Sequence, residues 1–449
     1  MIGEELLSDV AMSNTVSDLK IFDAIMSSVM DPYDENTNPN GVFNLGVSVN
    51  KLQEKMLLEK LNSINEINKQ DLDYCDPSGA NLLKEQIARL INQRFHAHKP
   101  VSKEDMIVVN GCSSGIDMIT SSVCNPGDGV LLATPYYSAY MGDVNLRAKA
   151  DLYGVPVPIE EVQRPSQVQY YENVYSDMID KKIKPKMLVI CNPNNPLGKC
   201  YSKEAIEALL VFANERKLFV LMDEIYGLSV YRNNESSENG DEVYPFKSIL
   251  SWENLSDFID PSLIIVSHGM SKDFCLNGFR VGWIISPWNK RLMNALKSIS
   301  PFSYQATLIN SISTKFLQDE EFINELLDAV PRNLLGAYEK TTKYLKDHNI
   351  EYIPAQAGHF LWVNFKQQML TWKNKNLKDG EQKVSSINEI TFDDEIDMWI
   401  DTIKNGRAYY APGAIFQSSE PGWIRIIFSQ PWDALVVGLD RVINYLPSS

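Results

Sequence analysis

The chain has 449 residues, 44% of them hydrophobic and 22% charged, so it is long enough for a large core and, at roughly 150 residues per domain, for two or three domains. Its 58 acidic and 42 basic residues give a formal net charge of -16, which argues against nucleic acid or an anionic membrane as the main partner, because both need a basic face. Cys75, Cys112, Cys124, Cys191, Cys200 and Cys275 have no C-x-x-C spacing and form no Cys/His cluster. No basic region followed by an apolar run opens the chain, and no apolar run approaches the roughly 18 residues of a membrane span. A cytoplasmic protein with free thiols, no metal and no membrane segment is expected.

In chain order, residues 1–40 are polar and mixed, and "DPYDENTNPNG" (31–41) is a loop dense in turn formers. "LLKEQIARLINQRF" (82–95) has apolar residues at helical spacing. Short apolar runs then follow as strands: 105–111, 129–137, 186–198, 218–227, 262–272 and 280–286, with helices such as 202–217 between several of them. Apolar strands alternating with helices predict an α/β fold, with a mostly parallel sheet covered by helices. After about residue 310 the pattern changes. Residues 320–349 read as long helices that Pro331 breaks or kinks. Strands at 358–365 and 423–429 and a last helix at 434–446 complete a smaller α+β domain. The polar stretches 232–242 and 373–389 read as surface insertions.

The predicted strands end in reactive or glycine-rich residues: "NGCSSG", "TPYY", "CNPNNPLG", "DEIYG" and "SHGMSK". In an open α/β sheet, ligands bind beyond the carboxyl ends of the strands. "NGCSSGID" (110–117) offers N–H groups and hydroxyls at a helix start, which suits a phosphate and equally suits a plain serine cap. Asp223 in "DEIY" is a carboxylate for a protonated ring nitrogen, or a structural cap; Asn195 in "NPNNP" aims into a cleft, or makes an Asn-Pro turn. Lys272 and Arg280 stand eight apart in the apolar "SHGMSKDFCLNGFRVGWIIS". An amine desolvated near positive charge becomes a nucleophile able to form a Schiff base, and an arginine can hold a phosphate by a forked pair of hydrogen bonds. A pyridine ring acting as electron sink needs a carboxylate such as Asp223 at its nitrogen, and Tyr137 suits its face.

With "NPNGVFNLGVSVN", "NPNNPLG", "SKDFCLNGFRVGW" and "PGAIFQSSEPGWIRIIFS" in this order, the chain resembles the fold-type-I pyridoxal-phosphate enzymes of the class I/II aminotransferase family from about residue 40 to 446. The nearest subgroup is similar to the aminocyclopropane-carboxylate synthases and their fungal-type homologues. The resemblance implies an aspartate-aminotransferase-like fold, with an N-terminal arm and part of the small domain at 1–55, a large cofactor domain at 56–310 and a small C-terminal domain at 311–449. It implies pyridoxal 5'-phosphate as cofactor, an amino-acid substrate and a homodimer. By the same resemblance Lys272 bears the cofactor and moves the proton, and Asp223 pairs with the ring nitrogen. Asn195 and Tyr226 bind the phenolic oxygen, Tyr137 stacks on the ring, and Ser113, Ser114, Ser271 and Arg280 bind the phosphate. Arg425 binds the substrate carboxylate; without the resemblance it is also readable as a solvent-facing strand residue.

Three positions depart from that pattern. Gly269 stands where a phosphate-binding serine is usual, Pro77 where a tyrosine reaching the neighbouring subunit is common, and Val49 where plant-type synthases carry a glutamate for their sulfonium substrate. The last two count against a standard synthase. Transamination is the expected reaction. An elimination or ring closure on S-adenosylmethionine is the alternative, and a non-catalytic homologue is an alternative of another class.

Overall fold

The structure, a computed structural model, describes residues 8, 11–12, 19–233, 242–377 and 382–446. Parts of the N-terminal polar region and residues 234–241 and 378–381 of the two predicted insertions lie outside the described residues.

Strand β1 (Phe43–Asn44) lies in the N-terminal segment, and β2 (Met106–Asn110) starts the large sheet. That sheet adds β3 (Gly129–Ala133), β4 (Asp151–Val155), β5 (Pro185–Cys191), β6 (Phe219–Asp223), β7 (Ile264–Gly269) and β8 (Val281–Ile285), in the order β2-β8-β7-β6-β5-β3-β4. Every residue of β3, β7 and β8 is buried, as expected for strands covered on both faces. The sheet is parallel except for β8, which runs against both neighbours. β4 is the strand that sequence periodicity misses. "DLYGV" sits at the sheet edge and is only partly buried, so it lacks the apolar run of its neighbours.

The smaller sheet contains β9 (Tyr352–Ile353), β10 (Phe360–Asn364), β12 (Ala411–Pro412) and β13 (Trp423–Ile427), in the antiparallel order β12-β13-β10-β9. β11 (Ala408–Tyr409) pairs in parallel with β1, which ties the N-terminal segment to this part of the chain. From β1 a strap continues along β13: Ile427 N–H donates to Leu45 O at 2.7 Å, and Lys51 N–H donates to Ser429 O at 2.9 Å.

Pro331 does not break its helix. Glu320–Asp347 is one helix of 28 residues with Pro331 inside it. The proline removes one backbone hydrogen bond, but Leu326, Leu327, Val330 and Leu334 are buried around it, and that burial outweighs the local loss. No helix among the described residues is long and apolar enough to cross a membrane. No group of three or more His, Cys, Asp or Glu among them gathers as a metal site, and all six cysteines are free.

A buried carboxyl fixes the approach to β13. Glu395, fully buried on the helix Phe392–Asp401, accepts the N–H groups of Ala414 at 2.7 Å and Gly422 at 2.6 Å. Burial pushes its pKa up to about 7, from 4.5. A raised carboxyl stabilises the fold below its unfolded pKa, and that contribution is lost as pH rises through the folded value. We expect Glu395→Gln to gain on the parent by roughly 3 kcal/mol between pH values of about 5 and 8, read by urea unfolding at each pH. A constant difference between the two proteins would contradict this.

Candidate active site

Because β2, β3, β5, β6 and β7 run the same way, the five polar strand ends gather at one rim of the sheet. β8 runs the other way, so its start, preceded by Arg280, lies at that rim as well. This explains how Lys272 and Arg280 meet although a turn separates them. Ser113, Tyr137, Asn195, Asp223, Tyr226, Ser271, Lys272 and Arg280 line one cavity there.

Lys272 Nζ donates to the carbonyl of Ser48 at 2.7 Å. Burial of the amine and the nearby Arg425 guanidinium lower its pKa from 10.5 to about 7, with Arg280 adding to the effect and Cys112 and Asp223 opposing it. A large fraction is therefore neutral near pH 7, the state needed for attack on a carbonyl.

On one side of the lysine lies an anion cradle. The helix Gly111–Val123 points its start at the cavity, and Gly111 has φ +81°. A Cβ at Gly111 would lie 2.2 Å from Arg280 Nη2, so any side chain there would push the guanidinium off the helix start. Arg280 Nη1 donates to Asn277 O at 3.0 Å and to Ser271 Oγ at 3.4 Å. No carboxylate lies within ion-pair distance of Arg280 among the described residues. Ser113 hydrogen-bonds Asp143, whose carboxyl burial raises to about 6. Ser114 is turned away: its hydroxyl donates to Asn110 O at 2.9 Å. Gly269 has a steric reason. A Cβ there would meet Val281 O at 2.7 Å, Gly282 Cα at 2.9 Å and Cys112 Sγ at 3.2 Å. Two of these are backbone atoms of the paired strand, so a serine needs β8 to move.

Deeper in the cavity, Asp223 is buried at the end of β6. Burial raises its pKa, and the Tyr140 O–H, donated to Oδ2 at 2.5 Å, works against that rise. The Tyr137 ring meets the Tyr140 ring edge-on at 5.6 Å. Arg425 comes from β13. Its Nη1 donates to Asn195 Oδ1 at 3.0 Å and its Nη2 to Gly46 O at 2.7 Å, with the guanidinium 4.8 Å from the Phe416 ring centre. Its Nε is buried and has no partner. Arg425 is therefore buried behind Asn195 rather than solvent-facing; it does not itself line the cavity, and no carboxylate lies within ion-pair distance of it among the described residues.

Sequence reasoning missed Tyr140, Cys112, Ser48 and His359, all of which touch residues of this set. Only Cys112, inside "NGCSSG", and Tyr140, three residues after Tyr137, carried any local signal. Pro77 is half-buried in its loop, and three residues earlier the Tyr74 side chain is 94% exposed, so that loop does present a phenol.

The residues fit pyridoxal 5'-phosphate: a neutral-prone lysine, and an arginine at a helix start and a buried carboxylate that each lack an ion-pair partner among the described residues. A large, mostly parallel sheet bearing such a lysine beside a small antiparallel sheet defines a pyridoxal-phosphate protein with the aspartate-aminotransferase-like fold. Residues 40–436 match the family described as aminotransferase class I and II. The chain is 30% identical over 428 residues to the probable inactive 1-aminocyclopropane-1-carboxylate synthase-like protein 2 of Mus musculus, covering 93% of this chain and 68% of that protein. It is 27% identical to the probable aminotransferase sirI of Leptosphaeria maculans, covering 89% and 90%. The aspartate aminotransferase of Thermotoga maritima superimposes with a TM-score of 0.72 at 20% identity, over 98% of this chain and all of that one. This chain belongs to the class I and II aminotransferases, and pyridoxal 5'-phosphate is its cofactor.

Proposed function

We propose that the protein is an amino-acid aminotransferase. The observation that carries this reading is Arg425: a buried guanidinium with a free Nε, hydrogen-bonded to the cavity residue Asn195 and close enough to Lys272 to depress its pKa. An uncompensated buried cation is costly and marks the place of an anion, here a substrate α-carboxylate.

When bound, the cofactor supplies a carbonyl for the amine and an electron sink for the substrate α-carbon. Lys272 bears it and, once released, carries the α-proton. Arg280, Ser271 and Ser113 hold the phosphate, with Ser114 contributing through the helix start because its hydroxyl is engaged by Asn110. Asp223 would pair with the ring nitrogen, its carboxylate held in place by the Tyr140 O–H. Asn195 and Tyr226 hold the phenolic oxygen, and Tyr137 covers a ring face. Asn195 also braces Arg425, which links substrate binding to cofactor binding.

The charge around the cavity favours this reaction over one on S-adenosylmethionine. Arg280 and Arg425 are cationic groups near Lys272, and Val49 offers nothing to a sulfonium. That Lys272, Asp223 and Arg425 are all retained speaks against a non-catalytic protein. Leu72, Tyr74 and Phe302 are 79%, 94% and 80% exposed, and Thr307 ties down the loop at Asp73 O at 2.7 Å. This apolar exposure supports a homodimer.

The protein reconstituted with pyridoxal phosphate should be mixed with single amino acids and, separately, with S-adenosylmethionine. We expect pyridoxamine phosphate and an oxo acid from at least one amino acid. Methylthioadenosine from S-adenosylmethionine, without any pyridoxamine phosphate, would replace the transaminase reading by the elimination reading. No product from either would favour the non-catalytic one.

A further inference from the structure

Four contacts converge on Ser48, in the strap that follows β1. Its carbonyl accepts from Lys272 Nζ at 2.7 Å and from Asn277 Nδ2 at 3.0 Å. Its hydroxyl lies 2.5 Å from His359 Nε2 and 3.5 Å from the Tyr226 hydroxyl. All of Ser48, His359 and Tyr226 are buried, His359 completely. The three come from separate parts of the chain: the strap, the residue before β10, and the turn after β6.

The direction of the hydrogen bonds follows from what His359 lacks. Burial, with Lys272 and Arg425 nearby, pushes its pKa well below the usual histidine range, so the ring is neutral and carries one N–H. Its Nδ1 is buried without a partner. With the proton on Nδ1, a donor would be stranded; with the proton on Nε2, an acceptor is stranded, which is the more tolerable defect. His359 Nε2–H then donates to Ser48 Oγ. The Ser48 O–H is free to point at the Tyr226 oxygen, and the Tyr226 O–H is left to point into the cavity. The opposite tautomer would have Ser48 donate to His359 and draw the Tyr226 proton toward itself.

The geometry points to Ser48 and His359 as positioning residues that turn the Tyr226 O–H toward the cofactor's phenolic oxygen while the Ser48 carbonyl holds the Lys272 amine. This rests on the assignment of Lys272 and Tyr226 to the cofactor. Through this pair the strap and the smaller sheet act on the amine's proton, although neither residue lines the cavity.

The test is the pH titration of the visible absorption of the lysine-bound cofactor. A phenol donating to the phenolic oxygen stabilises its negative charge and so weakens that oxygen's hold on the proton of the adjacent lysine nitrogen. The titratable and charged groups facing the set are Lys272 and Arg425 for His359, Arg425, Cys191 and Tyr137 for Tyr226, and Arg425, Cys112, Arg280 and Asp223 for Lys272; the variants change none of them. Ser48→Ala, which keeps the Tyr226 O–H but frees its direction, should raise the titration midpoint by up to about one pH unit, the ceiling set by losing the whole Tyr226 hydrogen bond to the charged form. Ser48→Thr, which keeps the hydroxyl, should keep the parental midpoint. His359→Leu should move it in the same direction, and the double variant no further than the larger single shift. An unchanged midpoint in Ser48→Ala, or single shifts that simply add, would overturn the pair's role. Should His359→Leu not fold, the two Ser48 variants decide alone. If the parent itself shows no titrating band, the assignment of Lys272 fails first and this proposal with it.

Discussion

Lys272→Ala should yield a folded protein that no longer bonds the cofactor and turns over at least ~1000-fold more slowly, the scale of losing a covalent catalyst that also moves a proton. The stability of the variant is the informative control. In the structure the amine's hydrogen bond is to Ser48 O, and its pKa is held down to about 7 by burial and by Arg425. A group so depressed contributes nothing to folding as a cation, so truncating it relieves desolvation and should leave the melting temperature equal or higher. Borohydride reduction followed by mass spectrometry separates the effects. The parent should gain the mass of the cofactor on the peptide containing Lys272, and the variant should not. Lys272→Arg sharpens this: a guanidinium stays protonated and cannot attack a carbonyl, so in cofactor attachment it should behave like the alanine. A variant that still gains the cofactor's mass would move the attachment site elsewhere.

What the sequence revealed of this site depended on distance along the chain. Asp223, Lys272 and Arg280 sit at ends of apolar runs, where a reactive side chain stands out, and the parallel direction of the strands does the rest. Ser48 and His359 are 311 residues apart and meet only because β1 pairs with β11 and the strap lies along β13. Ser48 lies inside the motif "NPNGVFNLGVSVN", but nothing local marks it as a partner of His359. Gly269 looked like a lost ligand; in the structure it is what allows β7 and β8 to pair at Gly282 with the Cys112 thiol behind them. Pro331 misled in the other direction. Local propensity favours a break, and burial on a long helix overrides it. The edge strand β4 escaped detection because periodicity reads burial, and an edge has less of it.

Arg425→Leu should separate substrate binding from cofactor chemistry. We expect kcat/KM for amino acids to fall by about 1000-fold, roughly 4 kcal/mol, since a buried carboxylate–guanidinium contact is lost at both the ground and transition states. Primary amines without a carboxylate should react no more slowly than with the parent. The same change should raise the melting temperature of the cofactor-free protein, because it replaces a buried guanidinium with an unpaired Nε by an apolar side chain next to Phe360 and Phe416. It should also alter Lys272. Arg425 is one of the cations that hold the lysine's pKa down, so its removal favours the ammonium form and raises that pKa above about 7. The rate of cofactor attachment, which follows the neutral amine, should therefore rise with pH through a higher midpoint than in the parent. A purely structural arginine would give a different set of results: a lower melting temperature, equal losses on amino acids and simple amines, and an unmoved attachment profile. Only an anion-binding arginine at the substrate end of the cavity yields selective loss, gained stability and a shifted lysine together.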